Sequence, residues 1–100
     1  IANLSSVMGS IARLREFRSP SYGMSKAALN MATVQLAHAL QTSGICVFAL
    51  HPGWVRTDMG GEQADLAPVE AVEAMLDLIL NSSAEDSGSF RDWQGAPLPW

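Results

Sequence analysis

The sequence predicts an α/β fold in which helices connect the strands of a parallel sheet. Short apolar segments alternate with segments of helical period, in the order strand–helix–strand–helix–strand. That order is the signature of βαβ units. The middle strand candidate, Ile45-Cys46-Val47-Phe48-Ala49-Leu50, is apolar without alternation, as a strand covered on both faces must be. Each helix candidate follows directly on a loop that begins where a strand candidate stops, as crossovers between parallel strands require.

The elements follow in order. Residues 1–5, Ile-Ala-Asn-Leu-Ser, form a short strand that ends at Ser5-Ser6. No turn or helix precedes this strand, so the 100 residues read as the later part of a larger α/β unit. Such a portion buries less of its surface than a full domain and is marginally stable. Residues 7–20 form a loop with Gly9, Ser10, Pro20 and three arginines, Arg13, Arg15 and Arg18. A long helix is predicted over 21–43, with Ser19 as N-cap and Pro20 at the first helical position. Its body is rich in alanine, leucine and methionine, which favour helix, and Gly44 is placed to end it. The strand at 45–50 comes next and stops at His51-Pro52-Gly53.

Residues 54–67 form a second loop, carrying Trp54, Gly60 and Gly61. A second helix spans 68–80, with Pro68 in its first turn and Glu70 near its positive end. Val69, Val72, Met75, Leu76 and Ile79 recur at helical spacing and predict one buried stripe. The tail, 81–100, reads as a final strand around Gly88-Ser89-Phe90-Arg91-Asp92-Trp93, a tight turn near Gly95 and a short returning segment.

Composition excludes several classes. With 48% hydrophobic and 16% charged residues, the chain is neither a disordered tail, a collagen-like repeat nor a coiled coil. Six basic against ten acidic residues give a net charge of −4, which argues against a general nucleic-acid binder. The one cysteine, Cys46, cannot form an internal disulfide. With two histidines it does not complete a tetrahedral Cys/His centre, so no metal is expected. No apolar run approaches the roughly 18 residues of a membrane span, and no signal-peptide pattern is visible. A reducing, cytoplasmic setting is the expectation.

Ligands of open parallel sheets bind beyond the carboxyl ends of the strands. Three places are therefore of interest: Ser5-Ser6, the stretch His51 to Thr57, and the helix start near Tyr22. Tyr22 and Lys26 are four apart on one helix and share a face. A free phenol holds its proton at neutral pH, and a nearby ammonium favours the phenolate. A tyrosine so tuned can protonate a carbonyl oxygen or deprotonate an alcohol, and a serine hydroxyl such as Ser6 could hold that oxygen. Taken alone, a Tyr/Lys pair at this spacing is an ordinary feature of surface helices. After the middle strand, Pro52-Gly53 allows the backbone to approach a ligand closely. Thr57 offers a hydroxyl, and a carboxamide-bearing ring could bond to the Val55 backbone and to Thr57. In isolation Pro-Gly is an ordinary turn.

Together these pieces resemble the short-chain dehydrogenase/reductase family. The matching text is Asn3-Leu4-Ser5-Ser6-Val7-Met8-Gly9, then Tyr22-Gly23-Met24-Ser25-Lys26, then His51-Pro52-Gly53-Trp54-Val55-Arg56-Thr57-Asp58-Met59. The ending, Gly88 to Trp93 and Leu98-Pro99-Trp100, resembles the C-factor and sniffer-type carbonyl reductases within that family. The resemblance implies a partial Rossmann-type fold, the later βαβαβ part of a doubly wound three-layer sheet. It implies NAD- or NADP-dependent interconversion of a carbonyl and an alcohol. Tyr22 would be the general acid/base. Lys26 would tune it and bond to the nicotinamide ribose. Ser6 would polarise the substrate oxygen. Tyr22, Lys26, Pro52, Gly53, Val55 and Thr57 would bind the cofactor, with the Val55 backbone and Thr57 meeting the nicotinamide carboxamide. Residues 58–67 would form a mobile lid, and the 21–43 helix would pair with its copy in a homo-oligomer.

Two departures from the family pattern stand out. The gap from Ser6 to Tyr22 is longer than usual, which leaves Ser5 and Ser6 both as candidates; Ser6, directly before Val7-Met8-Gly9, is preferred. The glycine-rich dinucleotide-phosphate turn, the residue that reads the adenosine ribose and the family's asparagine-bearing helix do not occur in these residues. The isolated 100 residues are therefore expected to show no measurable dinucleotide affinity. Two other readings compete with the enzyme: a non-catalytic signalling or binding protein of the same fold, and an inactive truncated fragment.

The remaining candidates have bland explanations. His51 is expected to pack at a strand end, and His38 to lie exposed or at an interface. Cys46 is expected to be an inert buried thiol. Arg13, Arg15 and Arg18, with Glu16 among them, fit a solvated loop better than an anion site. Trp54 and Met59 fit pocket lining and simple packing equally. Glu70, Glu73 and Asp77 fit the wet face of the second helix.

Overall fold

The computed structural model describes residues 1–100. The strands β1 (Ala2–Leu4), β2 (Phe48–His51) and β3 (Phe90–Asp92) form one parallel sheet in the order β1-β2-β3. Asn3 pairs with Ala49, and Leu50 with Arg91. The helix α1 (Pro20–Leu40) connects β1 to β2, and α2 (Pro68–Leu80) lies between β2 and β3. This is the βαβαβ order that the sequence predicts.

The start of α1 departs from expectation. Ser19 makes no side-chain cap; its backbone is left-handed, at φ 43° and ψ 59°. The following proline disfavours the right-handed helical region at Ser19 but does not account for its positive φ. Pro20 itself starts the helix, with its φ preset and its missing N–H one of the orphans of any first turn. The Ser19 carbonyl still accepts from Gly23 N at 3.0 Å. At the other end, α1 stops at Leu40 and tightens into a 3-10 turn over Gln41–Ser43. Gly44 closes it in the left-handed conformation, at φ 70°. The helix predicted over 21–43 is thus α1 plus this tightened last turn.

The second strand starts later than the apolar run suggests. Ile45 to Val47 precede β2, and the Cys46 carbonyl accepts from the Ile1 ammonium at 2.6 Å while Phe48 N donates to the Ile1 carbonyl at 3.0 Å, so pairing beside β1 reaches back only to Val47. Val47 N donates to Ser87 Oγ at 3.1 Å, and the Val47 carbonyl accepts from Gly88 N at 2.7 Å. Cys46 is consequently a half-buried thiol in this lead-in and not a strand residue. Phe48, Ala49 and Leu50 are fully covered, so the inference of a strand buried on both faces holds.

The limits of α2 agree with the predicted 68–80, but its buried face does not. Ala71 and Met75 face the core, with Leu78 partly buried beside them. Val69, Val72, Leu76 and Ile79 lie outward; Val69 is 65% exposed. The helix carries apolar residues on two faces, and the small Ala71 lets one of them approach the sheet closely. There it packs with Phe48, Leu50 and Leu66. Burying each large side chain of this cluster contributes about 1.5–3 kcal/mol.

The tail folds as the sequence indicates. Asp92 Oδ1 accepts from Gln94 N and Ala96 N at 2.9 Å each, and Gly95 turns at φ 90°. The returning segment bridges Pro97 to Arg91 and ends with Trp100 stacked on Phe90, ring centroids 5.2 Å apart. The Arg91 guanidinium lies 4.8 Å from the Phe48 ring and 3.3 Å from the Asp86 carboxylate.

Candidate functional site

The site is built where β1 runs out. Ser6 is extended, at φ −150° and ψ 148°, and caps a 3-10 turn over Val7–Gly9. Its Oγ accepts from Met8 N at 3.1 Å. Val7 N donates to His51 Nδ1 at 3.2 Å. The two amides that a turn start leaves without partners are therefore both satisfied. Because Ser6 Oγ accepts within the turn, its own proton remains available to a neighbouring oxygen. The adjacent Ser5 hydroxyl is spent differently. It donates to Asn30 Oδ1 inside the protein, at 2.5 Å. Of the two serines, the one left with a free proton is Ser6.

The turn sits directly on α1. A Cβ on Gly9 would fall 2.7 Å from the Lys26 carbonyl carbon and 2.9 Å from Ala27 N. A Cβ on Gly23 would fall 3.2 Å from the Met8 carbonyl oxygen. Only a residue without a side chain permits the first approach. Tyr22 and Lys26 are half-buried on the helix turn so contacted. Lys26 Nζ lies 5.7 Å from the centre of the Tyr22 ring and donates to the Leu4 carbonyl at 3.0 Å. The ammonium thus bridges the end of β1 and the phenol, on the face that their spacing predicts.

Two further polar residues of α1 complete this attachment. Asn30, 4% exposed, holds Ser5 through Oδ1 and reaches the Gly9 carbonyl through Nδ2 at 3.4 Å. Thr33 Oγ1 accepts from Asn3 Nδ2 at 2.9 Å and donates to the Leu29 carbonyl at 2.8 Å. Sequence reasoning missed these positions. The available signal was a polar line, Tyr22-Lys26-Asn30-Thr33, at helical spacing along a helix rich in alanine, leucine and methionine.

The loop after β2 brings the other candidates to the same end of the sheet. Pro52 and Gly53 follow His51, and Gly53 lies at φ 85°. The space of its absent Cβ is taken by the chain itself: such an atom would be 2.5 Å from Leu66 Cδ1 and 2.8 Å from Trp93 Cδ1. Val55 pairs with Leu66 in a parallel bridge, with Arg56 N to the Leu66 carbonyl at 2.8 Å and Leu66 N to the Trp54 carbonyl at 3.1 Å. In that pattern the N–H of Val55 points away from Leu66. Thr57 is exposed; its Oγ1 accepts from Gly60 N at 3.1 Å, leaving the hydroxyl proton free to donate.

Residues 58–67 are held at both ends. Trp54 Nε1 donates to the Gly60 carbonyl at 2.7 Å, and Arg56 Nη1 to the Ala64 carbonyl at 3.0 Å. Ala64 and Leu66 are buried. Met59 at the tip is 84% exposed, and Trp54 is half-exposed. His38 is exposed on α1. Arg13, Arg15 and Arg18 are exposed and line a cleft of about 330 Å³ beside Val7, Met8 and Ser10. A second cleft of about 240 Å³ runs between Met8 and Met24. Ser6, Tyr22 and Lys26 line neither of them.

The fold lowers the pKa of His51. Burial holds its imidazole below the usual range, Asp92 pulls in the opposite direction, and Arg13 adds to the lowering. Its neutral form suits the bond it makes, because Nδ1 must be unprotonated to accept from Val7 N.

Chemically, the arrangement presents a phenol beside an ammonium, and a hydroxyl with a free proton on the turn packed against them. That combination can exchange a proton with a bound oxygen. Comparison with known proteins identifies the family. The family model for short chain dehydrogenase matches residues 1–67. The chain is 44% identical to the C-signal of Myxococcus xanthus over 100 residues, covering all of this chain and 60% of that protein. The carbonyl reductase Sniffer of D. melanogaster superposes with a TM-score of 0.96 at 37% identity, covering 99% of this chain and 40% of that one. An NADPH-bound carbonyl reductase from chicken fatty liver gives 0.91 at 43% identity, covering 99% and 42%. The chain therefore spans less than two thirds of the length of each of these relatives. By its sequence and its fold, the chain belongs to the short-chain dehydrogenase family.

Proposed function

We propose that these residues form the catalytic portion of an NAD(P)-dependent oxidoreductase that interconverts a carbonyl and an alcohol. In this reading they are the later part of a short-chain dehydrogenase domain, and the dinucleotide-phosphate-binding half lies outside them. The observation that carries the reading is the position of Lys26. Its ammonium is bonded to the Leu4 carbonyl, two residues before Ser6, while it lies against the Tyr22 ring.

In reduction, Tyr22 gives its proton to the carbonyl oxygen; in oxidation it takes the proton of the alcohol. The Ser6 proton bonds to the same oxygen and orients it. Lys26 stabilises the negative charge left on the phenol oxygen. The nicotinamide, when bound, supplies hydride exchange with the substrate carbon. The loop after β2 fits its carboxamide: Val55 N–H faces away from the chain's own bridge, the Thr57 hydroxyl retains a proton, and Pro52-Gly53 shape the turn between strand and donors. Lys26 would also hold the nicotinamide ribose. The same reading has the 21–43 helix pair with its copy in a homo-oligomer, supported by the exposed Met24, Met31 and Leu36.

The test is oxidation of the reduced dinucleotide by full-length protein with a panel of aldehydes and ketones. Tyr22→Phe is expected to lower turnover by about 10²–10⁴-fold. Unchanged turnover in that variant refutes the assignment. The likeness to the C-signal favours a second reading, a signalling protein of the same fold without turnover. A full-length protein that binds its partner but reduces no carbonyl would decide for it.

A further inference from the structure

The end of β2 carries a histidine that the proposed chemistry does not use, yet it holds the turn that carries Ser6. His51 closes β2 and is half-buried. Its Nδ1 accepts from Val7 N at 3.2 Å, across 44 residues of sequence. The next amide, Met8 N, is taken by Ser6 Oγ. The placement of the Ser6 hydroxyl therefore depends on a turn whose first amide is anchored by His51 and whose last residue, Gly9, is pressed against α1. We propose that His51 is a positioning residue for Ser6: its neutral imidazole tethers the Val7–Gly9 turn, and its protonation releases it. This rests on the oxidoreductase reading for its effect on turnover, but the tether itself does not.

The physical step is simple. In the neutral ring that accepts at Nδ1, the proton sits on Nε2. The imidazolium carries protons on both nitrogens and has no lone pair to offer, so Val7 N–H loses its partner when His51 is protonated. The charged groups facing the ring are Asp92 from β3, which favours the imidazolium, and Arg13 from the loop before α1, which opposes it. Burial also opposes it. The neutral, tethering form therefore persists to a lower pH than in a free histidine.

The experiment uses full-length protein with saturating dinucleotide and a small aldehyde. Wild type is expected to lose kcat on an acid limb whose midpoint lies below about 6.5. His51→Asn places an amide oxygen near the Nδ1 position and does not titrate. It is expected to keep kcat at neutral pH within about threefold and to flatten the acid limb. His51→Leu offers no acceptor. It is expected to lower kcat by about tenfold at every pH while the KM for dinucleotide stays within about twofold. Independently of turnover, the Val7 amide resonance is expected to titrate with the same midpoint as the His51 ring, in wild type and in Tyr22→Phe alike. An acid limb that survives in His51→Asn, a wild-type kcat in His51→Leu, or a Val7 amide indifferent to His51 overturns the proposal. A Val7 amide that titrates in a protein reducing no carbonyl would uphold the tether and sink the oxidoreductase reading instead.

Discussion

Gly9→Ala is the substitution that most directly strains the attachment of the Ser6 turn to α1. The added methyl would lie 2.7 Å from the Lys26 carbonyl carbon, 2.8 Å from Lys26 Cβ and 2.9 Å from Ala27 N. Ordinary van der Waals contact begins near 3.4 Å, so the tightest of these falls about 0.7 Å short. Two of the three atoms belong to helix backbone, which cannot rotate aside, so the turn must withdraw. Overpacking of this kind costs about 1–3 kcal/mol. The 3.4 Å bond from Asn30 Nδ2 to the Gly9 carbonyl is the first to stretch. Moving a catalytic group by about 1 Å can cost on the order of a hundredfold in rate, so a shift of this size in Ser6 is expected to lower kcat by roughly tenfold or more. Gly23→Ala is the graded control: its methyl would meet only the Met8 carbonyl, at 3.2 Å, and the neighbour need give by only a few tenths of an ångström. Urea unfolding and steady-state kinetics on both variants read the effect. Gly9→Ala should lower the midpoint without changing the slope and should lose more kcat than Gly23→Ala. A Gly9→Ala protein with wild-type midpoint and wild-type kcat would refute the packing on which the site is built.

Other predictions follow from the same contacts. Asn30→Ala leaves the buried Ser5 hydroxyl and the Gly9 carbonyl without their partner, at a cost of about 2–4 kcal/mol in unfolding free energy. A cycle with Ser5→Ala should return a coupling of at least about 0.5 kcal/mol, and strictly additive losses would show that the Ser5–Asn30 bond is not formed. Stability should also vary with pH through His51. Its folded pKa is lowered, so the unfolded chain binds the proton more readily. The contribution is therefore complete above the unfolded value of about 6.5, declines as pH falls from there to the folded value, and is flat below it. Urea midpoints between pH 8 and 5 check this, and a decline of the same size in His51→Asn would contradict it.

Local chemistry made much of this legible in advance. The limits of α2 were readable because Pro68 fixes its first turn, and the turn at Gly95 because glycine follows residues suited to bond their own backbone. Tyr22 and Lys26 could be paired because four residues of helix bring them together wherever the helix lies. Errors arose where tertiary packing decides. The apolar run from Ile45 does not reveal that Ile45 N bonds back to the Leu40 carbonyl and that Val47 bonds to Ser87 and Gly88. The apolar residues of α2 occupy two faces, and helical period cannot say which meets the sheet. Ser19 has the composition of an N-cap, but its backbone is left-handed and its side chain makes no cap bond. The bonds Ser5–Asn30 and Val7–His51 span 25 and 44 residues and exist only once β1, α1 and β2 are assembled. The role of Ser6 was drawn from family resemblance. In the structure Ser5 gives its proton to Asn30 while Ser6 accepts from Met8 N.

The central claim is that one substrate oxygen is held jointly by Ser6 and Tyr22, with Lys26 behind the phenol. A crystal structure of full-length protein with dinucleotide and a small alcohol inhibitor measures it directly. Ser6 Oγ and Tyr22 Oη should each lie within about 2.6–3.2 Å of the inhibitor oxygen, with Lys26 still against the Tyr22 ring. An inhibitor oxygen bound away from both hydroxyls, beside an ordered dinucleotide, would contradict the account.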